Sequence, residues 1–161
     1  MKLSLKKAFN LSKALFRWSF GDKFTVKDEN DNERFTAKGN RLKIEVYDAS
    51  EKLVATLKET SGRVVGKHGL HYSIEVDGNA VCKVTRKTKV IGMNVEITGL
   101  PWALEYDNVT FEHQLKHDDE VIMTINDKVA FLGENYDIEV FDAENELICV
   151  AIALAIDYIK S

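Results

Sequence analysis

Apolar and polar residues alternate with period two over most of the chain between Phe16 and Phe141. Residues 24–26, 42–47, 53–57, 72–76 and 80–84 place an apolar side chain at nearly every second position, and 95–97, 121–125 and 136–141 continue the pattern. Successive side chains of a strand point to opposite faces, so each segment predicts a strand with one face in a core and one in water. Between them lie clusters rich in Asp, Asn and Gly, at 28–32, 48–51, 77–79, 126–127 and 142–145. These residues tolerate left-handed backbone or hydrogen-bond their own turn, so each cluster predicts a tight connection between antiparallel strands.

One unit recurs. IEVYDA at 44–49 and IEVFDA at 138–143 are nearly the same hexapeptide, and IEVDG at 74–78 repeats its start. Each is followed within a few residues by a second apolar stretch. In the last copy that stretch, LICVAIALAI at 147–156, is apolar at every position and interleaved with alanine. Alanine favours helix, Asp142 or Asn145 is a suitable N-cap, and Glu144 and Glu146 suit the positive end of a helix dipole. A helix over about 144–157 is therefore predicted, and a helix that is apolar all round must be buried all round.

Strands with one apolar face and a helix with no polar face have an economical joint solution, a sheet wrapped round the helix. Setting aside about 15 residues at each end, and allowing about ten per strand and turn, gives about 12 strands. Closing such a sheet removes its edges, and a barrel that wide needs a filler. The expected architecture is thus mainly β: a closed antiparallel barrel of about 12 strands around a buried hydrophobic C-terminal helix. The expected organisation is a basic N-terminal segment at 1–15 and one barrel domain at 16–161. For residues 1–15, with Leu3, Leu5, Phe9, Leu11 and Leu15 set among lysines, the alternatives are a segment that touches acidic lipid and a first strand or short helix docked on the domain.

FRWSFGDKFTVKDEN at 16–30, LKIEVYD at 42–48, YSIEVDGN at 72–79 and the terminal LAID at 154–157 resemble, in this order, the LURP-one-related family of the tubby C-terminal-like superfamily. The phospholipid scramblases are more distant relatives. The similarity runs from Leu15 to Asp157. It implies a closed 12-stranded barrel around a C-terminal helix, the architecture reached above from patterning. It implies no activity. Tubby-like relatives bind phosphoinositides, but their basic residues have no matching motif here, and the Cys-rich, Pro-rich and calcium-binding segments of scramblases are missing.

Composition narrows the function classes. The chain has 161 residues, 45% of them hydrophobic, with one Pro and two Cys. A scarcity of Pro suits a chain in which most residues donate to a ladder. The longest apolar run is half of what a bilayer-spanning helix needs, so no transmembrane span is expected. Formal net charge is −4 and pI about 5.6, which disfavours a general nucleic-acid binder. That average hides an asymmetry: residues 1–27 carry a net +6 and residues 105–161 a net −11.

Candidate chemistry is sparse. His68/His71 and His113/His117 have helical ligand spacing but lie in predicted strand or loop, lack the Glu of HExxH, and read as surface imidazoles, so no metal is expected. GRVVGKHG at 62–69 is one residue short of a phosphate loop and has His68 where Ser or Thr must meet Mg²⁺. Cys82 and Cys149 read as small buried hydrophobes. No catalytic group and no cofactor is assigned. The candidate site is instead a basic one. In VCKVTRKTK at 81–89, inward Cys82 and Val84 would leave Lys83, Lys87 and Lys89 on one outward face with Arg86 near the strand end. Together with Lys6, Lys7, Lys13 and Arg17 these residues are the candidate anion or lipid ligands. The expected function is a non-catalytic binding module, cytoplasmic or peripheral to a membrane, that associates with acidic phospholipid or a protein partner. The alternative is a carrier or small enzyme holding an apolar ligand inside the barrel.

Overall fold

The computed structural model describes residues 1–7, 21–60, 71–88, 93–107, 109, 112–130 and 133–160, and among these twelve strands precede one α-helix. The strands are β1 (Lys2–Lys7), β2 (Asp22–Asp28), β3 (Glu33–Gly39), β4 (Lys43–Asp48), β5 (Leu53–Glu59), β6 (His71–Val76), β7 (Asn79–Thr88), β8 (Met93–Thr98), β9 (Trp102–Asp107), β10 (Glu112–His117), β11 (Glu120–Ala130) and β12 (Gly133–Val140). A 3₁₀ turn, Ala143–Asn145, leads into α1, Glu146–Lys160. All twelve strands form one antiparallel sheet in the order β8-β7-β6-β5-β4-β3-β2-β1-β12-β11-β10-β9. The sheet curls into a nearly closed barrel whose seam falls between β8 and β9, joined in sequence through Gly99 but without a ladder between them.

The period-two pattern sets which side is inside. Phe24 and Val26, Ile44 and Val46, Ala55 and Leu57, Tyr72 and Ile74, and Cys82 and Val84 all point inward and are buried. They surround α1, which is buried at every position from Cys149 to Ile159. The helix starts two residues later and ends three later than its apolar run predicts. Tyr158 and Ile159 prolong it because both remain inside, Tyr158 against the rings of Phe24 and Tyr72. Both ends are tied to the wall. At the N-terminal end the Arg34 guanidinium donates to both oxygens of Glu146, at 3.1 and 2.8 Å, and at the C-terminal end the Tyr158 hydroxyl donates to Asp22 at 2.7 Å. Burial and the neighbouring Asp22 carboxylate push the Tyr158 phenol far above its ordinary range, so it stays a donor.

The recurring hexapeptide is a structural unit. In both full copies the Ile and Val face inward, the Glu faces out, and the Asp opens a turn with its side chain. Asp48 accepts from the backbone of Ser50 and Lys52, and Asp142 accepts from that of Glu144. After Asp48 the chain turns back through Glu51 at φ 64° and becomes β5. After Asp142 it passes instead into the 3₁₀ turn and α1. The same local signal thus has two outcomes, decided by whether the next stretch has one apolar face or is apolar all round. Asp28 builds the same turn as Asp48, and hydrogen bonds hold both carboxyls below the ordinary value, first from the Asn32 backbone at Asp28 and first from the Ser50 side chain at Asp48. Their folded pKa lies under the unfolded one, so this contribution to stability is complete above about pH 4 and lost as pH falls further.

Two expectations need correction. Asn126 and Asp127 are not a turn: β11 continues through them, pairing with Asp137 and Tyr136 of β12, because Asn126 occupies an outward position where a polar residue belongs. The preceding connection is instead Asp118-Asp119. His113 is not a surface imidazole. It occupies an inward position of β10, is 7% exposed, and stacks on Tyr106 of β9 with ring centroids 4.7 Å apart. The first strand, by contrast, lies within the basic segment, with Leu3 and Leu5 inside the barrel between β2 and β12.

Candidate functional site

Antiparallel topology separates the connections into two sets. Those at the end where α1 begins are short and acidic, carrying Asp28, Glu29, Asp31, Asp48, Glu51, Asp77, Asp118, Asp119, Asp142 and Glu144 against Lys52. The opposite end, where α1 finishes, receives the lysine-bearing halves of β1 to β5.

Of the predicted basic residues, Lys6 is exposed on the outer face of β1, and Lys83 and Lys87 are exposed on that of β7. Arg86 is not on that face: it alternates with them, lies opposite the buried Val95 of β8, and belongs to the inner side at the barrel mouth. The backbone of Lys7 is the last residue of β1. Lys13, Arg17, Lys89 and the glycine-rich stretch 62–69 lie outside the described residues. The structure does not bring Lys6 and the β7 lysines together, since β1 and β7 are six strands apart in a ring of twelve.

What joins them is a set of lysines not singled out from the sequence. On the outer face Lys23 of β2 lies directly opposite Lys38 of β3, and Lys43 of β4 directly opposite Lys58 of β5. Lys6 sits diagonally from Lys23, and Lys58 continues through Ser73 to Lys83. The result is a ribbon of lysines crossing β1 to β7. Two carboxylates interrupt it, Glu45 at 3.7 Å from Lys43 and Glu75 at 3.2 Å from Lys58, and Glu96 of β8 pairs with Lys87 at its far end. Among the described residues Lys6, Lys23, Lys38 and Lys83 have no carboxylate partner, and Lys38 lies over the Tyr47 ring. Like charges directly opposite on neighbouring strands destabilise a sheet, so the Lys23–Lys38 couple opposes the fold, while Glu45 and Glu75 offset the Lys43–Lys58 couple.

A sequence signal for the ribbon did exist. KFTVKDENDNERFTAK at 23–38 and KIEVYDASEKLVATLK at 43–58 are a tandem repeat with a period of 20 residues. Each places lysine at its ends, Asp28 or Asp48 at the turn, and Asp31 or Glu51 at the left-handed position, with φ 64° in both. Aligning the two hairpins on their turns superposes Lys23 on Lys43 and Lys38 on Lys58.

Other chemistry is weak at the described residues. No group of three or more His, Cys, Asp and Glu there has the arrangement to hold a metal ion. His113 and His117 both lie in β10, where four residues span about 13 Å. A groove of about 330 Å³ crosses the outer face of β1, β11 and β12, and Glu29, Glu112, Asp137 and Glu139 line it with Lys2, so its field disfavours anions. Cys82 and Cys149 are buried, and burial pushes their thiols up to about 11 and about 12. Both are expected to resist iodoacetamide at pH 8 in the folded protein and to react in denaturant, read by mass spectrometry. Labelling of either under native conditions would contradict the packing. Among the described residues no helix is long and apolar enough to cross a membrane.

Comparison with known proteins adds ancestry. No solved structure matches the chain. The "Uncharacterized protein YxjI" of Bacillus subtilis (strain 168) is similar, with 27% identity over 146 residues that cover 88% of each chain. The model of the family described as LURP-one-related matches residues 7–157, β1 to α1, and the chain belongs to that family.

Proposed function

We propose that this protein is a non-catalytic barrel module that associates with acidic phospholipid surfaces through the lysine ribbon on the outer face of β1 to β7. The observation that carries the reading is the pair of facing lysine couples, Lys23 with Lys38 and Lys43 with Lys58. The Lys23–Lys38 couple, without a carboxylate partner among the described residues, costs stability in the free protein, whereas Glu45 and Glu75 offset the Lys43–Lys58 couple; an anionic surface relieves the remaining repulsion while each nearby lysine adds about 1 kcal/mol of attraction. The acidic end of the barrel faces away from such a surface. An apolar ligand carried inside the barrel has less support, because α1 fills the axis and the side chains facing it are buried.

Co-sedimentation with vesicles tests the reading. The protein is expected to bind phosphatidylcholine vesicles containing phosphatidylserine at low salt, to leave them as ionic strength rises, and to ignore pure phosphatidylcholine. Equal recovery with both vesicle types at low salt would overturn it.

A further inference from the structure

The β3–β4 connection joins the two repeated hairpins at the lysine-bearing end of the barrel, and its sequence is Asn40-Arg41-Leu42 ahead of Lys43. Leu42 is 65% exposed, between two cationic side chains that are also exposed. A lone exposed leucine is ordinary on a protein surface. This one differs in being held out by the fold. The Asn40 side-chain oxygen accepts from the backbone N–H of Leu42 at 2.9 Å and of Lys43 at 3.2 Å. The Leu42 carbonyl accepts from the Glu59 N–H at 2.9 Å, and the Arg41 carbonyl accepts from the hydroxyl of buried Tyr72 at 2.7 Å. Burial pushes the Tyr72 phenol up to about 12, so it remains a donor at neutral pH. Backbone on both sides of the Leu42 side chain is thus pinned to the turn, to β5 and to the barrel interior. Folding into the core is closed to it, and little entropy is left to lose on binding.

We propose that Leu42 is a membrane-insertion tip: the β3–β4 hairpin end places this side chain into the boundary between headgroups and acyl chains of an anionic bilayer while Arg41 and Lys43 engage phosphates on either side. The proposal rests on the lipid reading above and adds depth and orientation to it. An apolar residue buried at the interface between cations is the arrangement by which peripheral proteins combine apolar burial with electrostatic attraction. A protein partner is a poorer fit, because specific protein interfaces need a broad surface with an apolar centre, and among the described residues the neighbours of Leu42 on this rim, Arg41, Lys38 and Lys43, are charged and exposed.

The test uses a reporter at the tip. Both native thiols are buried, so Leu42→Cys in the full chain accepts a single environment-sensitive fluorophore, and Ala49→Cys, exposed in the turn at the acidic end, provides the control. With phosphatidylserine-containing vesicles the fluorophore at position 42 is expected to shift to the blue and to be quenched by bromine on the upper acyl carbons. The fluorophore at position 49 is expected to change in neither way. Leu42→Ser, at an exposed position that the fold tolerates, is expected to lower vesicle partitioning by about tenfold at unchanged thermal stability. Vesicle binding by wild type with no change at position 42, or with Leu42→Ser binding as well as wild type, overturns the tip and leaves the lysine ribbon standing. Absence of wild-type binding to anionic vesicles overturns both. Loss of binding to a protein partner by Leu42→Ser, with lipid partitioning intact, also overturns the tip as a membrane device.

Discussion

Ile152→Lys is expected to abolish the native fold. Ile152 lies in the middle of α1 with no exposed surface, inside a ring of strands whose inward residues are apolar. Lysine there would be enclosed by apolar side chains, and the buried carboxylate at the start of the helix, Glu146, is already held by Arg34. An uncompensated charge in such a place costs about 3–5 kcal/mol or more, and the lost isoleucine packing adds about 2–5 kcal/mol. A domain of this size has about 5–15 kcal/mol to lose. The variant should be insoluble or show no cooperative unfolding by circular dichroism. Ile152→Val, which only trims the side chain, should fold and lose about 1 kcal/mol. Leu53→Lys, at an exposed strand position, should be nearly neutral. A soluble, cooperatively unfolding Ile152→Lys protein would mean that α1 is not the core, as it would not be if the helix were a lipid-facing anchor.

The second large effect belongs to the backbone. Gly39 closes β3 with φ 153°, and a Cβ there would overlap the Lys43 carbonyl oxygen and lie 2.8 Å from the Ile44 Cα. Gly21 is equally crowded, its Cβ position overlapping the Gly39 carbonyl oxygen. Neither obstacle is the tip of a side chain, so relief requires β3 and β4 to separate at the point where the hairpin tip is pinned. Gly39→Ala should therefore cost about 3 kcal/mol or more, a sum of backbone strain and overpacking. Gly78 provides the comparison. It also has a positive φ, 80°, yet nothing lies within 4 Å of its Cβ position. Gly78→Ala should lose only about 1 kcal/mol, the conformational part alone. Urea unfolding of the two variants, at equal m-values, separates the contributions. Equal midpoints for both would show that the crowding at Gly39 is relieved at no cost.

These two effects mark where the sequence was easy and where it was hard to read. The helix and its burial follow from ten successive apolar residues, a signal that needs no partner to interpret. Strands β4 to β7 follow from alternation for the same reason. Strand β10 does not: in EHQLKH the only apolar residue is Leu115, and His113 fills an inward slot because Tyr106 of β9 supplies a ring to stack on. A polar residue made acceptable by a residue seven positions away is invisible to a local pattern. Strand β3 is hard for a related reason, having only Phe35 and Ala37 to mark its inner face.

The candidate surface is harder still. Lys83 and Lys87, four positions apart on one strand, are legible from the sequence alone, although Arg86, between them in the chain, belongs to the other face by the strand's own alternation. The lysines that matter most to the lipid reading come from four different strands, and only register makes Lys23 face Lys38 and Lys43 face Lys58. Their spacing of 15 residues within each hairpin is meaningless until the turn is known to be centred on Asp28 or Asp48. The 20-residue repeat carries that information, but only five residues of sixteen are shared, and the inward positions exchange sizes, Phe35 against Ala55 and Ala37 against Leu57.

The double substitution Lys23→Glu/Lys43→Glu tests the central claim most directly, because fold and binding predict opposite responses to it. Each like-charge couple becomes an opposite-charge one, worth about 0.2–1 kcal/mol; at position 43 that gain offsets the lost pairing with Glu45, and at position 23 nothing is lost, so the melting temperature should hold or rise. Partitioning onto phosphatidylserine-containing vesicles at low salt should collapse toward the level seen with neutral vesicles. A stabilised protein that no longer sediments with anionic vesicles is the predicted result; undiminished sedimentation of the double variant would contradict the account.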